Sequence, residues 1–312
     1  MRSPARAKLA AFAAVVLWGI SFVATRAALR EISPVTLVFT RFLLGTVLLF
    51  GLLAARRRLV LPPRDSWLAL LSMGFLGVFV HQLLQAHGLE HTTAVHAGWL
   101  IGLIPIWSAI LGAVFLEERL GALRIAGLVL GLVGAALVVT RGHVTGASLA
   151  LPATRGDFLI LASTVNWAVY SVVGRRTLTR LGSARTIAFS MLAGWLMLAP
   201  IFLARGGWAE WPRISAAGWA AVLFLGIGCS GLGYLFWYAA LERLETSRVA
   251  AFLYLEPLVT LAAAVALLGE PVHLTTIAGG LIVLAGVFLV QRGGDSSRDS
   301  LETNVASGGL TL

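Results

Sequence analysis

Charge is what this chain has least of. Asp, Glu, Lys and Arg make up 12% of its 312 residues, against about a quarter in a soluble domain. So few charges cannot clothe two soluble domains of the size this length would otherwise suggest. Cysteine is nearly absent too: Cys229 stands alone, which excludes an internal disulfide and any zinc site built on paired thiolates. Acidic residues number 14 against 24 basic ones, for a net charge of +10. What fills the chain instead is apolar: 58% hydrophobic residues and 34 glycines, with a mean hydropathy of +0.89. Such a chain needs a solvent as apolar as itself, and a bilayer is one.

A spanning helix takes about 20 predominantly apolar residues. Reading between charge clusters and Pro/Gly breaks predicts ten, near 9–25, 35–55, 67–88, 93–115, 121–140, 157–174, 186–204, 216–238, 247–268 and 273–291. The first is no cleavable signal peptide, because Trp18, Phe22 and Arg26 stand where small residues should mark a cleavage site. Ten spans put both termini on one side. With that side cytoplasmic, the inner segments carry 17 basic residues, among them Arg56, Arg57, Arg58, Arg175 and Arg176, and the outer loops carry 6. The basic charge therefore faces anionic headgroups and implies no nucleic acid. The tail 293–312, rich in Gly, Ser, Asp and Asn, reads as disordered and cytoplasmic.

The chain also repeats itself. At an offset of 149, Trp18 matches Trp167, Arg26 matches Arg175 and Gly45 matches Gly194. At 152, Trp67 matches Trp219, Gly74 matches Gly226, Leu89-Glu90 matches Leu241-Glu242, and Pro105, Glu118, Gly127 and Gly134 match Pro257, Glu270, Gly279 and Gly286. One three-residue insertion reconciles the two offsets. Five helices per copy is odd, so the second copy enters the membrane from the opposite face. The expected architecture is an all-α polytopic membrane protein, ten transmembrane helices as two inverted five-helix repeats (1–145 and 146–292) around a central cavity. Inverted repeats suit alternating access, since exchanging the conformations of two similar halves opens one site to the other side.

Trp18-Gly19 with Phe22, the twofold Pro-x12-Glu ending the fourth helix of each half, and the glycine-spaced fifth helices resemble the drug/metabolite transporter superfamily, in its EamA-type ten-helix branch. The resemblance covers about residues 8–292. It implies a monomeric basket of ten helices in the bacterial inner membrane that moves small organic metabolites, amino acids and amphiphiles among them, with no cofactor. The motifs are shared scaffold and leave the cargo open.

Polar side chains in hydrocarbon are expensive, so those present need partners or a water-filled cavity. Trp18, Ser21, Phe22 and Thr25 fall at helical spacing in the first span, as do Ser163, Asn166, Trp167 and Tyr170 in the sixth. His81 and Gln85 share a face of the third. The eighth offers Ser230, Tyr234, Trp237 and Tyr238, and the fourth Trp99. Aromatic stripes with scattered hydroxyls can hold an amphiphile, the rings on its apolar part and the polar groups on its head. Interhelical hydrogen bonds and interfacial belts are the alternative, and Trp67 and Trp219 at span starts are belt residues. His81 either exchanges a proton near neutral pH or ties two helices together. Glu256, before Pro257 and opposite Ile104 in the repeat, is either a proton carrier and ammonium partner or a structural bond at the proline kink; its frequency at this place in the resembled family points to scaffold. Arg41 either snorkels or meets helix-end carbonyls or a substrate carboxylate. Glu118 and Glu270 anchor the turns that end their helices. Gly127 and Gly131 allow close helix approach.

Three catalytic patterns are set against this. Gly226, Gly228 and Gly231 spell G-x-G-x-x-G inside an apolar span with no strand before it. Gly228-Cys229-Ser230-Gly231 reads as an intramembrane serine-protease motif that would need His81 opposite Ser230. His87, Glu90 and His91 spell an inverted zinc motif, but the glutamate recurs at Glu242 without histidines. The expected function is secondary-active export of a small amphiphilic metabolite such as an amino acid, with protons as coupling ion and neither metal nor catalysis. An intramembrane protease using Ser230 is the alternative.

Overall fold

The computed structural model describes residues 4–91, 100–118, 120–140, 155–256, 258–259, 262–263 and 274–307. Among these, every regular element is helical. Helices α1 (Pro4–Ala28) and α2 (Pro34–Ala55) are continuous. The next, α3, is α-helical over Trp67–Gly74 and His81–His91, with a π-helical turn at Phe75–Val80 between them. Then come α4 (Ile104–Leu116), α5 (Ala122–Thr140), α6 (Arg155–Leu181) and α7 (Ser183–Ala204). Like α3, α8 is composite: Ala216–Leu223, a π-helical stretch Phe224–Gly233, then Tyr234–Leu241. A short α9 (Thr246–Ala250) runs on as a 3-10 turn, Ala251–Leu255, and α10 spans Leu274–Ser307.

Six of the described helices are long and apolar enough to cross a membrane: Pro4–Thr25, Pro34–Ala55, Arg64–Gly88, Arg155–Arg175, Ser183–Ala204 and Ala216–Leu241. Three shorter apolar helices join them, Ile104–Leu116, Ala122–Gly134 and Ile277–Gly293. The expected fourth and ninth spans run into 92–99 and 264–273, which lie outside the described residues. One difference from the sequence reading concerns the tail, for α10 does not stop near Arg292 but continues to Ser307. No proline interrupts it, and Arg298 lies three residues after Asp295 and four before Glu302, spacings that support a helix.

Local chemistry sets the helix starts. Ser33 caps α2, its Oγ accepting from Thr36 N at 3.4 Å ahead of Pro34 at the first helical position. Ser215 caps α8 in the same way through Gly218 N at 3.1 Å. Each capping serine is held in turn by a glutamate from elsewhere: Glu210 accepts from Ser33 N and Oγ at 2.6 and 2.8 Å, and Glu31 from Ser215 N and Oγ at 2.7 and 2.8 Å. Between α6 and α7 the chain reverses at Gly182 with φ 75°, a conformation that glycine adopts without strain. Glu118 corrects an expectation. Instead of anchoring only the end of α4, its buried carboxylate accepts from Thr246 N, Ser247 N and Ser247 Oγ at 2.5, 3.1 and 2.7 Å. It thereby satisfies the first free N–H groups of α9. Glu270 lies outside the described residues.

Helix neighbours come in matched sets. Helix α1 lies on α8 as α6 lies on α3; α2 meets α8 as α7 meets α3; α4 meets α6 as the 3-10 turn following α9 meets α1. The counterparts α2–α7, α4–α9 and α5–α10 pack directly on each other. Lipid offers no hydrophobic drive between helices, so these contacts depend on close backbone approach. The repeat's own glycines supply it. A Cβ on Gly127 would sit 2.7 Å from the Gly286 carbonyl oxygen, and one on Gly134 would sit 2.7 Å from that of Gly279. Rising number on α5 meets falling number on α10, so the two are antiparallel. Likewise Gly45 abuts Gly226, and Gly194 abuts Gly74. Helices α2 and α7 are antiparallel as well, because the Ser33 cap of α2 is bonded by Glu210, just beyond the end of α7.

Candidate functional site

Aromatic side chains gather where the halves meet. Trp18 of α1 and its repeat counterpart Trp167 of α6 touch edge to face, with ring centroids 5.3 Å apart and planes at 86°. Tyr234 packs on both at 5.6 and 5.7 Å, and Trp237 on Trp18 at 5.2 Å. Tyr170 lies 5.3 Å from Trp167 on one side and 5.3 Å from Tyr238 on the other. Such pairs contribute about 0.5–1.5 kcal/mol each beyond the area they bury.

The two π-helical stretches hold this cluster. They occupy equivalent places in the repeat, Gly74 before one and Gly226 inside the other, and a π turn displaces carbonyls from the ordinary helical ladder. Trp18 Nε1 donates to Cys229 O at 3.1 Å. In the other half Asn166 Nδ2 donates to Leu76 O at 2.8 Å and Tyr234 OH to Gly77 O at 3.2 Å. The first helix of each half thus reaches the π turn of the opposite half's third helix.

Beside the cluster lies a cavity of about 90 Å³, with Trp18, Trp167 and Tyr234 as its aromatic wall and Arg41, His81, Gln82, Gln85 and Glu256 as its main polar groups. It has room for several water molecules and is small beside drug pockets of about 300–1,000 Å³. Ser21 and Thr25 line it too, as do Leu37, Val38, Ile101, Ile104 and Leu253. The walls come from both halves. Arg41 is the polar side chain of α2 in it, 8% exposed, and its Nε donates to Ser230 Oγ at 2.9 Å. His81 Nδ1 lies 3.2 Å from Ser163 O, with its ring 4.7 Å from that of Trp167. Gln82 Nε2 donates to Tyr234 OH at 3.0 Å.

Of the residues singled out in the sequence, Trp18, His81, Gln85, Trp167, Tyr234, Arg41 and Glu256 come together on this cavity. Asn166, Tyr170 and Trp237 stand behind it: Asn166 bonds the α3 backbone, and the two rings form the cluster's second layer. Trp99 and the side chain of Phe22 lie outside the described residues. Gln82 escaped the sequence reading, and its i, i+3 relation to Gln85 was the available signal. The apolar lining left none, because in a chain this hydrophobic a cavity-facing Leu253 looks like a lipid-facing one.

The protease alternative is not supported. Ser230 Oγ is engaged by the Arg41 guanidinium, and His81 turns Nδ1 to the Ser163 carbonyl, so the base stands in no pair with the hydroxyl. Among the described residues no three His, Cys, Asp or Glu side chains come together as a metal-ligand set.

A family model described as the EamA-like transporter family matches residues 5–140 and 154–292. An uncharacterized transporter of Archaeoglobus fulgidus is 32% identical over 88% of this chain and 93% of its own. A probable terminal-alkyne amino-acid exporter of Streptantibioticus cattleyicolor is 32% identical over 89% and 91%. A probable amino-acid metabolite efflux pump of Salmonella typhimurium is 28% identical over 88% and 91%. One solved crystal structure superposes with a TM-score of 0.76 over 91% of this chain and 98% of that one, at 22% identity, a likeness of fold alone.

Proposed function

Because the chain belongs to the EamA-like transporter family and is a multi-pass membrane protein, we propose that it is a secondary-active exporter of small amphiphilic metabolites, amino acids foremost. It works as a monomer in the bacterial inner membrane, with both termini cytoplasmic. The two halves are inverted five-helix repeats, and rocking one against the other carries a central site from one face to the other.

One observation carries this reading: a polar cavity lies at the join of two halves whose counterpart helices run antiparallel. A twofold axis in the membrane plane requires α5 and α10 to oppose each other, and an axis along the membrane normal would make them parallel. The contact of Trp18 with its counterpart Trp167 supports an axis passing between them. The family match in two blocks supports the duplication, and 17 basic residues against 6 support the orientation. The amino-acid cargo draws on the names of two relatives.

Glu256 lines the cavity at 8% exposure and is the carboxyl placed to couple transport to protons. The test is amino-acid uptake by proteoliposomes with and without an imposed pH gradient. Glu256→Gln is expected to lose the response to the gradient. A gradient response equal to wild type removes the coupling role, and absence of flux for every solute tried removes the transport reading.

A further inference from the structure

Arg41 is the outlier of the cavity. The residue is 8% exposed within an apolar helix long enough to span a membrane. Its Nε is engaged by Ser230, its Cζ lies 5.4 Å from the centre of the Phe42 ring, and among the described residues it is in no ion pair. A guanidinium carries five donors in a planar fork. Here Ser230 fixes one edge through Nε, and among the described residues the two terminal amino groups meet no hydrogen-bond acceptor. An unpaired buried charge costs several kcal/mol and persists where something offsets it. Glu256 lines the same cavity. The aromatic wall of Trp18, Trp167 and Tyr234 adjoins both.

We propose that Arg41 is the anion anchor of this cavity, taking a substrate carboxylate bidentately while Glu256 takes the ammonium group, so that the solute recognised is a free zwitterionic amino acid with its apolar side chain on the aromatic wall. This rests on the transport reading for its purpose but not for its test, which is binding. Ser230 acts as a positioning residue: it holds the fork so that both terminal nitrogens face the solute. Amino-acid amides, esters and simple amines, which lack the carboxylate, leave Arg41 buried and unpaired and are rejected, as are the corresponding carboxylic acids that lack the ammonium.

The experiment measures ligand-induced thermal stabilisation and calorimetric binding on purified full-length protein in detergent. The probes are the proteinogenic amino acids, and for each that binds, its amide and its deaminated acid. The free amino acid is expected to bind about tenfold to a hundredfold more tightly than its amide, the range for losing a hydrogen-bonded charge contact. Arg41→Gln is expected to erase that preference. Ser230→Ala, which keeps the charge and removes the brace, is expected to shrink it without abolishing binding, and serves if Arg41→Gln does not fold. An amide that binds wild type as well as the free amino acid does overturns the proposal. So does a preference that survives in Arg41→Gln, one left undiminished in Ser230→Ala, or no binding by any of these amino acids at millimolar concentration. Selective binding without flux in liposomes would sink the transport reading and leave the anchor standing; flux of some other solute with no amino-acid binding would do the reverse.

Discussion

At the scale of single residues, the carboxylates outside the cavity have work of their own. Glu118 satisfies two backbone N–H groups and a hydroxyl at the start of α9. Removing it leaves those donors buried, at about 1–3 kcal/mol for an unsatisfied group. Glu118→Ala is therefore expected to lower the melting temperature in detergent markedly, with Glu118→Gln intermediate because one acceptor oxygen remains. Glu31, beyond the end of α1, behaves differently because it is only partly buried. The hydrogen bonds from Ser215 N and Oγ hold its carboxyl below the ordinary value of 4.5. A lowered folded value means that its stabilising effect is complete above the ordinary value and fades as pH falls through the folded one. Melting temperatures followed from neutral to acid pH should show wild type losing stability faster than Glu31→Gln in that acid window. An identical acid limb in the two proteins would show that the Glu31–Ser215 contact contributes nothing. The sequence marked Glu118 and Glu270 by their repetition. It could not show Glu118 serving a helix 128 residues away, because that partnership exists only when the halves are assembled.

At the scale of elements, glycine decides how closely helices approach. The seam of α5 and α10 is lined by Gly127, Gly134, Gly279 and Gly286, each opposite another. Gly127→Leu forces a side chain against the Gly286 carbonyl and is expected to cost at least the 1–3 kcal/mol typical of overpacking. Gly51 on α2 is the control: a Cβ there meets nothing within 4 Å, so Gly51→Ala should be neutral or gain up to about 1 kcal/mol. Thermal unfolding of the two variants side by side checks both. A Cβ on Gly77 would collide with the Tyr170 ring inside the aromatic cluster, so Gly77→Ala should disturb the cavity wall as well as stability. Hydropathy was sufficient to place the long helices, since a run of some 20 apolar residues has little else to be. It was blind to the π turns of α3 and α8, which look like any other apolar stretch and arise from what the neighbouring helices offer their carbonyls.

At the scale of the whole molecule, the two copies must lie opposite ways up for one cavity to serve both faces. Leu59 and Trp208 are a matched pair at the offset of 149, each about half exposed at 50% and 52%, in the connection between the second and third helices of its half. In a Cys229→Ser background, Leu59→Cys and Trp208→Cys are expected to react with a membrane-impermeant maleimide from opposite sides, position 59 from within and position 208 from without. Labelling of both from one side would end the inverted arrangement and, with it, the mechanism. Cys229 is buried, its Sγ donating to Leu17 O at 3.3 Å, and serine can keep that bond.

The sequence by itself determined that the chain lives in a bilayer and that its residue spacings recur in a second half, and it picked out most of the polar and aromatic groups of the cavity. Those properties are additive: hydropathy sums along a segment, and a duplication leaves its spacing behind. Only the tertiary structure decided which aromatic faces the cavity and which stands behind it, and that Gln82 joins them. It also brought Arg41 of one half to Ser230 of the other. These are relations between residues far apart in the chain, fixed by how closely glycine lets two helices come together.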